Sequence, residues 1–138
     1  MFHKKERAEQ ARIRELARIE RFAHLTDDEL DAVLDAATYV TVPADWPLIA
    51  ELTAAEKAYV LLAGEVSVRR AGEEIARLGP GEIIGEMALV EHRLRSATVV
   101  AITPLEVLHF TAEAVEKLLE TMPHFADALL GAAEERHS

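Results

Sequence analysis

The segment Gly81-Glu82-Ile83-Ile84-Gly85-Glu86-Met87-Ala88-Leu89, followed after a polar link by Arg95-Ser96-Ala97-Thr98-Val99, gathers residue types that can hold an anion. Gly81 and Gly85 let the backbone approach a ligand and take positive φ. Residues Glu86 to Leu89 contain no glycine or proline and can form one helical turn whose unpaired N–H groups face a negative charge. Arg95 comes nine residues after Glu86, at the start of an apolar alternating run, and should return on a strand beside that turn. A guanidinium grips a phosphate through two parallel charge-assisted hydrogen bonds, which a lysine cannot reproduce. The chemistry implied is the holding of one phosphate-like anion from two sides. The competing arrangement is a buried Glu86–Arg95 ion pair in a domain without a ligand.

Positioning these residues is the work of a strand-rich region. From Thr38 to Phe110 the apolar period is two and breakers are frequent, which predicts strands near 38–42, 47–51, 58–62, 65–70, 74–78, 96–102 and 105–110, with a short bridge at 83–84. Glu65-Val66-Ser67-Val68-Arg69 alternates, so its valines should point inward. Ala71-Gly72 reads as a two-residue hairpin and Leu78-Gly79-Pro80-Gly81 as the turn that delivers the chain into the cradle. Seven or eight short strands in so short a stretch predict a sandwich, barrel or jelly roll.

Helices should flank this region. Residues 4–23 lack glycine and proline and are rich in Glu, Arg, Ala and Leu; Ile13, Leu16, Ile19 and Phe22 recur at three-residue spacing and suit packing on a neighbouring surface. Thr26-Asp27-Asp28-Glu29 is a capping box that opens a helix to about Ala37, with Leu25, Leu30, Val33 and Leu34 buried. Thr111 can cap a helix through Leu119 or Glu120 with Val115, Leu118 and Leu119 inward, and Pro123 can open another that carries Phe125, Leu129, Leu130 and Ala133. The division is one domain over 1–138: helices in 1–37, strands in 38–110 with the cradle at 84–98, and helices in 111–136.

Composition excludes several functions. The chain has 138 residues, 50% hydrophobic and 29% charged, an ordinary globular balance. With no cysteine there are no disulfides, thiolate metal sites or thiol nucleophiles. Residues 1–21 hold seven of the fifteen Lys and Arg against four glutamates, leaving eight basic against twenty-one acidic residues in the body. Such a body repels nucleic acid, whose binding rests on neutralising phosphates. His3, His24, His92, His109, His124 and His137 are not paired at metal-ligand spacing, and neither a Gly-x-Ser-x-Gly elbow nor a phosphate-binding Gly-x-x-x-x-Gly-Lys loop occurs. No enzyme activity, metal or cofactor is expected. No apolar run reaches membrane-spanning length, and the amino terminus lacks an apolar core after its charges, so the cytoplasm is the expected compartment.

Gly85-Glu86-Met87-Ala88-Leu89 with Arg95-Ser96-Ala97-Thr98-Val99 resembles the phosphate-binding cassette of cyclic nucleotide-binding domains, the family of the bacterial catabolite activator protein and the cAMP-dependent kinase regulatory subunits. Phe22-Ala23-His24-Leu25 resembles the family's approach to its first helix. The resemblance implies an α+β, mainly β fold: an antiparallel β-roll or jelly roll flanked by N-terminal helices and two C-terminal helices. It places Glu86 on the ribose 2′-hydroxyl and Arg95 on the cyclic phosphate. Gly85 and Ala88 would offer backbone N–H groups beside Met87, and Ser96 suggests cAMP where a threonine often accompanies cGMP. Val68, Ile75 and Ile84 would wall the pocket, and Leu129, Leu130 or Ala133 would cap the base on a helix that closes over the ligand. Val90-Glu91-His92-Arg93-Leu94 lacks the glycine and proline that often precede the arginine, though its length fits.

The resulting expectation is a cyclic nucleotide sensor, cAMP ahead of cGMP, without a helix-turn-helix domain. Its downstream partner would be an effector protein or a second copy of the chain. The alternative is a β-roll that binds no nucleotide and serves protein interaction or oligomerisation.

Overall fold

Thr26 sets the start of the first complete helix. Its hydroxyl accepts the Glu29 N–H at 3.1 Å while its own N–H donates to the Glu29 carboxylate at 2.9 Å. The predicted capping box thus forms, and α1 spans Asp27–Ala36 with Leu30 and Val33 buried and Leu34 partly so. The computed structural model describes residues 14, 16–19, 22–85, 94–123 and 125.

Much of the helix expected over 4–23 lies outside the described residues, and its described part ends by Arg18. Leu16 to Arg18 are helical, but Ile19, Phe22 and Leu25 each donate their N–H to the carbonyl three residues back. These are tight turns of period three. The strict spacing of Leu16, Ile19, Phe22 and Leu25 is the period of that geometry, and it keeps all four on one face. Leu16, Phe22 and Leu25 are buried and Ile19 packs beside them. Ile13 lies outside the described residues.

Eight strands follow: β1 Thr38–Val42, β2 Pro47–Ile49, β3 Lys57–Ala63, β4 Val66–Arg70, β5 Glu73–Leu78, β6 Ile83–Ile84, β7 Thr98–Ala101 and β8 Leu105–Thr111. They form two four-stranded antiparallel sheets, ordered β1-β8-β3-β6 and β2-β7-β4-β5. The chain is therefore an α+β, mainly β roll, as expected. The β4–β5 hairpin turns through Ala71 and Gly72, both at positive φ, and Gly79-Pro80-Gly81-Glu82 closes with a Glu82 N–H to Gly79 carbonyl bond of 3.3 Å.

Three strands are shorter than their apolar patterns predict, β4 by one residue at its start. β2 stops at Ile49 rather than residue 51, because the chain turns there: Thr53 Oγ1 donates to the Ala50 carbonyl at 2.6 Å and Leu52 takes φ +66°. β7 begins at Thr98 rather than residue 96, because Arg95 is already paired with the 52–53 turn.

Alternation divides the core in two. Leu61, Ile84, Leu105 and Val107 from the first sheet meet Ile49, Val66, Val99 and Ala101 from the second, filling the interior of the roll. On the opposite face of the first sheet, Ala58, Val60, Ile83, Leu108 and Phe110 receive the helices. That sheet is consequently covered on both faces. Thr111 caps α2, Ala112–Thr121, by accepting the Ala114 N–H at 3.1 Å, with Val115 and Leu118 buried. Pro123 and Phe125 are again helical, and the Phe125 ring stacks on Phe22 at 6.2 Å. The remainder of the helix expected after Pro123 lies outside the described residues.

Candidate functional site

Gly85 follows β6 at φ +84°, a conformation that strains any residue with a Cβ. β6 is held by its pairing with β3, where Tyr59 faces Ile84 and Val60 faces Ile83. Arg95 is fixed from the other side. Its N–H donates to the Thr53 carbonyl and its carbonyl accepts the Leu52 N–H, both at 2.8 Å. Two loops far apart in sequence thereby meet at one point.

The Arg95 side chain is almost wholly buried, at 6% exposure. Nη1 donates to the Gly85 carbonyl at 2.6 Å, and Nη2 donates to the Lys57 carbonyl. A guanidinium removed from water is costly unless hydrogen-bonded. Here two backbone carbonyls, one at the start of β3 and one just past β6, fix its plane. Arg95 lines a cleft of ≈ 200 Å³ together with Ile49, Thr53, Glu56, Lys57 and Tyr59.

Tyr59 is the aromatic wall of this cleft. Its ring lies 6.4 Å from that of His109, its partner on β8, with 29° between the planes. Burial pushes the Tyr59 phenol above its ordinary pKa, and the nearby Arg95 charge pulls the other way. Burial and then the Lys57 charge lower the His109 pKa, and its Nδ1 is buried without a hydrogen-bond partner. Burial therefore favours a neutral phenol in the cleft wall, with a neutral imidazole packed beside it on β8.

The predicted residues fall into three groups. Gly85 and Arg95 come together through the Nη1 hydrogen bond to the Gly85 carbonyl. Ile84 is buried in the roll interior and Val68 packs partly on the same cluster from the second sheet. Ser96 follows Arg95 at the surface, its carbonyl accepting Arg70 Nε at 3.0 Å. Ile75 stands apart. Val68 pairs with Ala76 but Arg69 with Glu74, so a bulge leaves Ile75 unpaired and 50% exposed, outside the cleft. Glu86, Met87, Ala88, Leu129, Leu130 and Ala133 lie outside the described residues.

Sequence reasoning missed Lys57, Tyr59, Ile49 and Thr53. Lys57 did carry a signal: it is the one charge in an otherwise apolar strand, two residues before Tyr59 and so on the same face. Among the described residues no cluster of His, Asp or Glu is placed to hold a metal, and no helix is long and apolar enough to cross a membrane.

Comparison with known proteins agrees with this geometry. The cyclic nucleotide-binding domain family model matches residues 39–122. The cyclic AMP receptor protein of Thermus thermophilus is 31% identical over 113 residues, 78% of this chain and 52% of the relative. Glutaminase 2 of Bradyrhizobium diazoefficiens is 41% identical over 87 residues, 62% of this chain but only 14% of that protein. The chain thus spans about half or less of the length of these curated relatives. A cyclic nucleotide-binding domain from Methylobacillus flagellatus superposes with a TM-score of 0.81 at 26% identity, covering 96% of this chain and 79% of that one. For the Thermus thermophilus catabolite activator protein the TM-score is 0.77 at 29% identity, with 84% and 57% covered. With the roll and the family match in agreement, this chain belongs to the cyclic nucleotide-binding domain family.

Proposed function

We propose that this chain binds a cyclic nucleotide, cAMP in preference to cGMP, and works as a sensor module rather than as an enzyme. The observation that carries the reading is the buried Arg95 guanidinium, oriented by the Gly85 and Lys57 carbonyls at the edge of a cleft. In this proposal Arg95 takes the cyclic phosphate and Glu86 the ribose 2′-hydroxyl. The N–H groups of Gly85, Met87 and Ala88 complete the anion site, and Ser96 favours adenine.

Residues 1–138 act as one unit in this proposal. Val68 and Ile84 contribute apolar wall, and the C-terminal segment with Leu129, Leu130 and Ala133 closes over the base. Ligand binds the closed state better and shifts the population toward it, since a ligand moves an equilibrium only by its differential affinity. The changed surface then acts on an effector protein or a second copy of the chain. The relatives named for cyclic AMP reception support this reading.

Thermal melting with cAMP, cGMP and 5′-AMP tests it. Ligand that binds only the folded state raises the melting temperature. The proposal expects a rise ordered cAMP, cGMP, 5′-AMP, and equal melting in all three would defeat it.

A further inference from the structure

The cleft has a second cation that the proposed ligand set leaves unused. Lys57 opens β3 and lines the cleft with Arg95 and Tyr59. Its carbonyl is the acceptor for Arg95 Nη2, so the backbone from which the ammonium extends is tied directly to the buried guanidinium. Glu56, the adjoining carboxylate, also lines the cleft, yet Lys57 makes no ion pair among the described residues.

Tyr59 shares this face of β3, and its ring is held from behind by His109. Its hydroxyl makes no hydrogen bond among the described residues. A half-buried phenol with no acceptor can still donate, and the Lys57 ammonium has no carboxylate within ion-pair distance among the described residues. Both are offered to the same small space, and an anionic ligand answers both.

We propose that Lys57 and Tyr59 form a second arm of the anion site, so that the ligand's negative group is gripped by the β3 wall as well as by Arg95. This rests on the nucleotide reading above and deepens it. Lys57 contributes long-range attraction and Tyr59 a directional hydrogen bond. Because Lys57 is exposed, its share is screened by salt, whereas that of the buried Arg95 is screened far less. The cleft thereby discriminates among ligands by charge as well as by shape.

The test is titration of the full chain with cAMP at about 20 mM and about 500 mM sodium chloride, where the screening length falls from roughly 20 Å to roughly 4 Å. Lys57→Met should weaken binding roughly two- to fivefold at low salt, with the difference vanishing at high salt, and Lys57→Arg should restore it. Lys57→Glu should lose roughly tenfold, since attraction becomes repulsion. Tyr59→Phe should weaken binding several-fold without altering the salt dependence. If cAMP binds and Arg95→Ala abolishes it, yet neither Lys57→Glu nor Tyr59→Phe changes the affinity at low salt, the second arm is overturned and the nucleotide reading stands. A wild-type chain that takes up no cAMP overturns both.

Discussion

The Arg95 guanidinium lies directly over the α-carbon of Gly85. A Cβ added there would stand 2.5 Å from Nη1 and 3.2 Å from Cζ, and the same Nη1 donates to the Gly85 carbonyl at 2.6 Å. The glycine is thus required twice, by its φ of +84° and by the cation it carries.

Gly85→Ala should therefore impair binding more than folding. The backbone strain costs roughly 1–3 kcal/mol of stability, while displacement of the guanidinium removes the oriented cation altogether. Denaturant melts and titration with cAMP separate the two effects. Normal affinity in a destabilised protein would show that Arg95 tolerates the Cβ.

Arg95→Lys keeps a charge but not the fork. An ammonium on a flexible stem cannot satisfy the Gly85 and Lys57 carbonyls and meet an anion in one plane. Affinity should fall by about 1.5–3 kcal/mol, the scale of hydrogen bonds to a charged group. A change well below that range, measured calorimetrically, would place the phosphate elsewhere.

Glu86→Gln and Ser96→Thr probe the proposed ribose and base contacts. An amide oxygen still accepts from a hydroxyl, so Glu86→Gln should cost less than any Arg95 change and should narrow the preference over 2′-deoxy-cAMP. Ser96→Thr should raise the cGMP-to-cAMP affinity ratio. Unchanged ratios in competition binding would remove both assignments.

His109 predicts a pH dependence. Burial holds its pKa below the ordinary histidine value, so the folded protein binds this proton less readily than the unfolded chain. The contribution is fully present above about pH 6.5, declines as pH falls through that unfolded-state value, and levels off below the folded-state pKa. His109→Phe should remove this part of the acid destabilisation while keeping a ring against Tyr59. Denaturant melts between pH 7.5 and 5.5, a window that brackets the ordinary histidine pKa of about 6.5, would show parallel slopes in both proteins if His109 carried no such role.

The turns before α1 should matter as much as the sheets. Phe22 is 1% exposed and stacks on Phe125, so it joins the two ends of the described chain. Phe22→Ala should cost about 3–5 kcal/mol. A loss below 1 kcal/mol in urea titration would mean that this segment does not dock in solution.

Local chemistry made much of this legible in advance. Thr26 with Glu29, Ala71-Gly72 and the pairing of Gly85 with Arg95 each depend on residues near in sequence or on a motif of fixed spacing. Lys57 and Tyr59 share a face by local period, but their place in the cleft is decided by β3 pairing with β6 and β8, across distances that no local period encodes. Ile75 illustrates the opposite case: the family resemblance implied a wall position, but a bulge of one residue leaves it unpaired and half exposed. The three-residue spacing of Leu16, Ile19 and Phe22 was visible, but past Arg18 it belongs to tight turns rather than to an α-helix.

Calorimetric titration of the wild-type chain and Arg95→Ala with cAMP tests the central claim most directly. The account predicts saturable binding with a stoichiometry of about one per chain in the wild type, and its loss in a variant that still melts cooperatively. Binding of equal strength in both, or heat from neither, would contradict it.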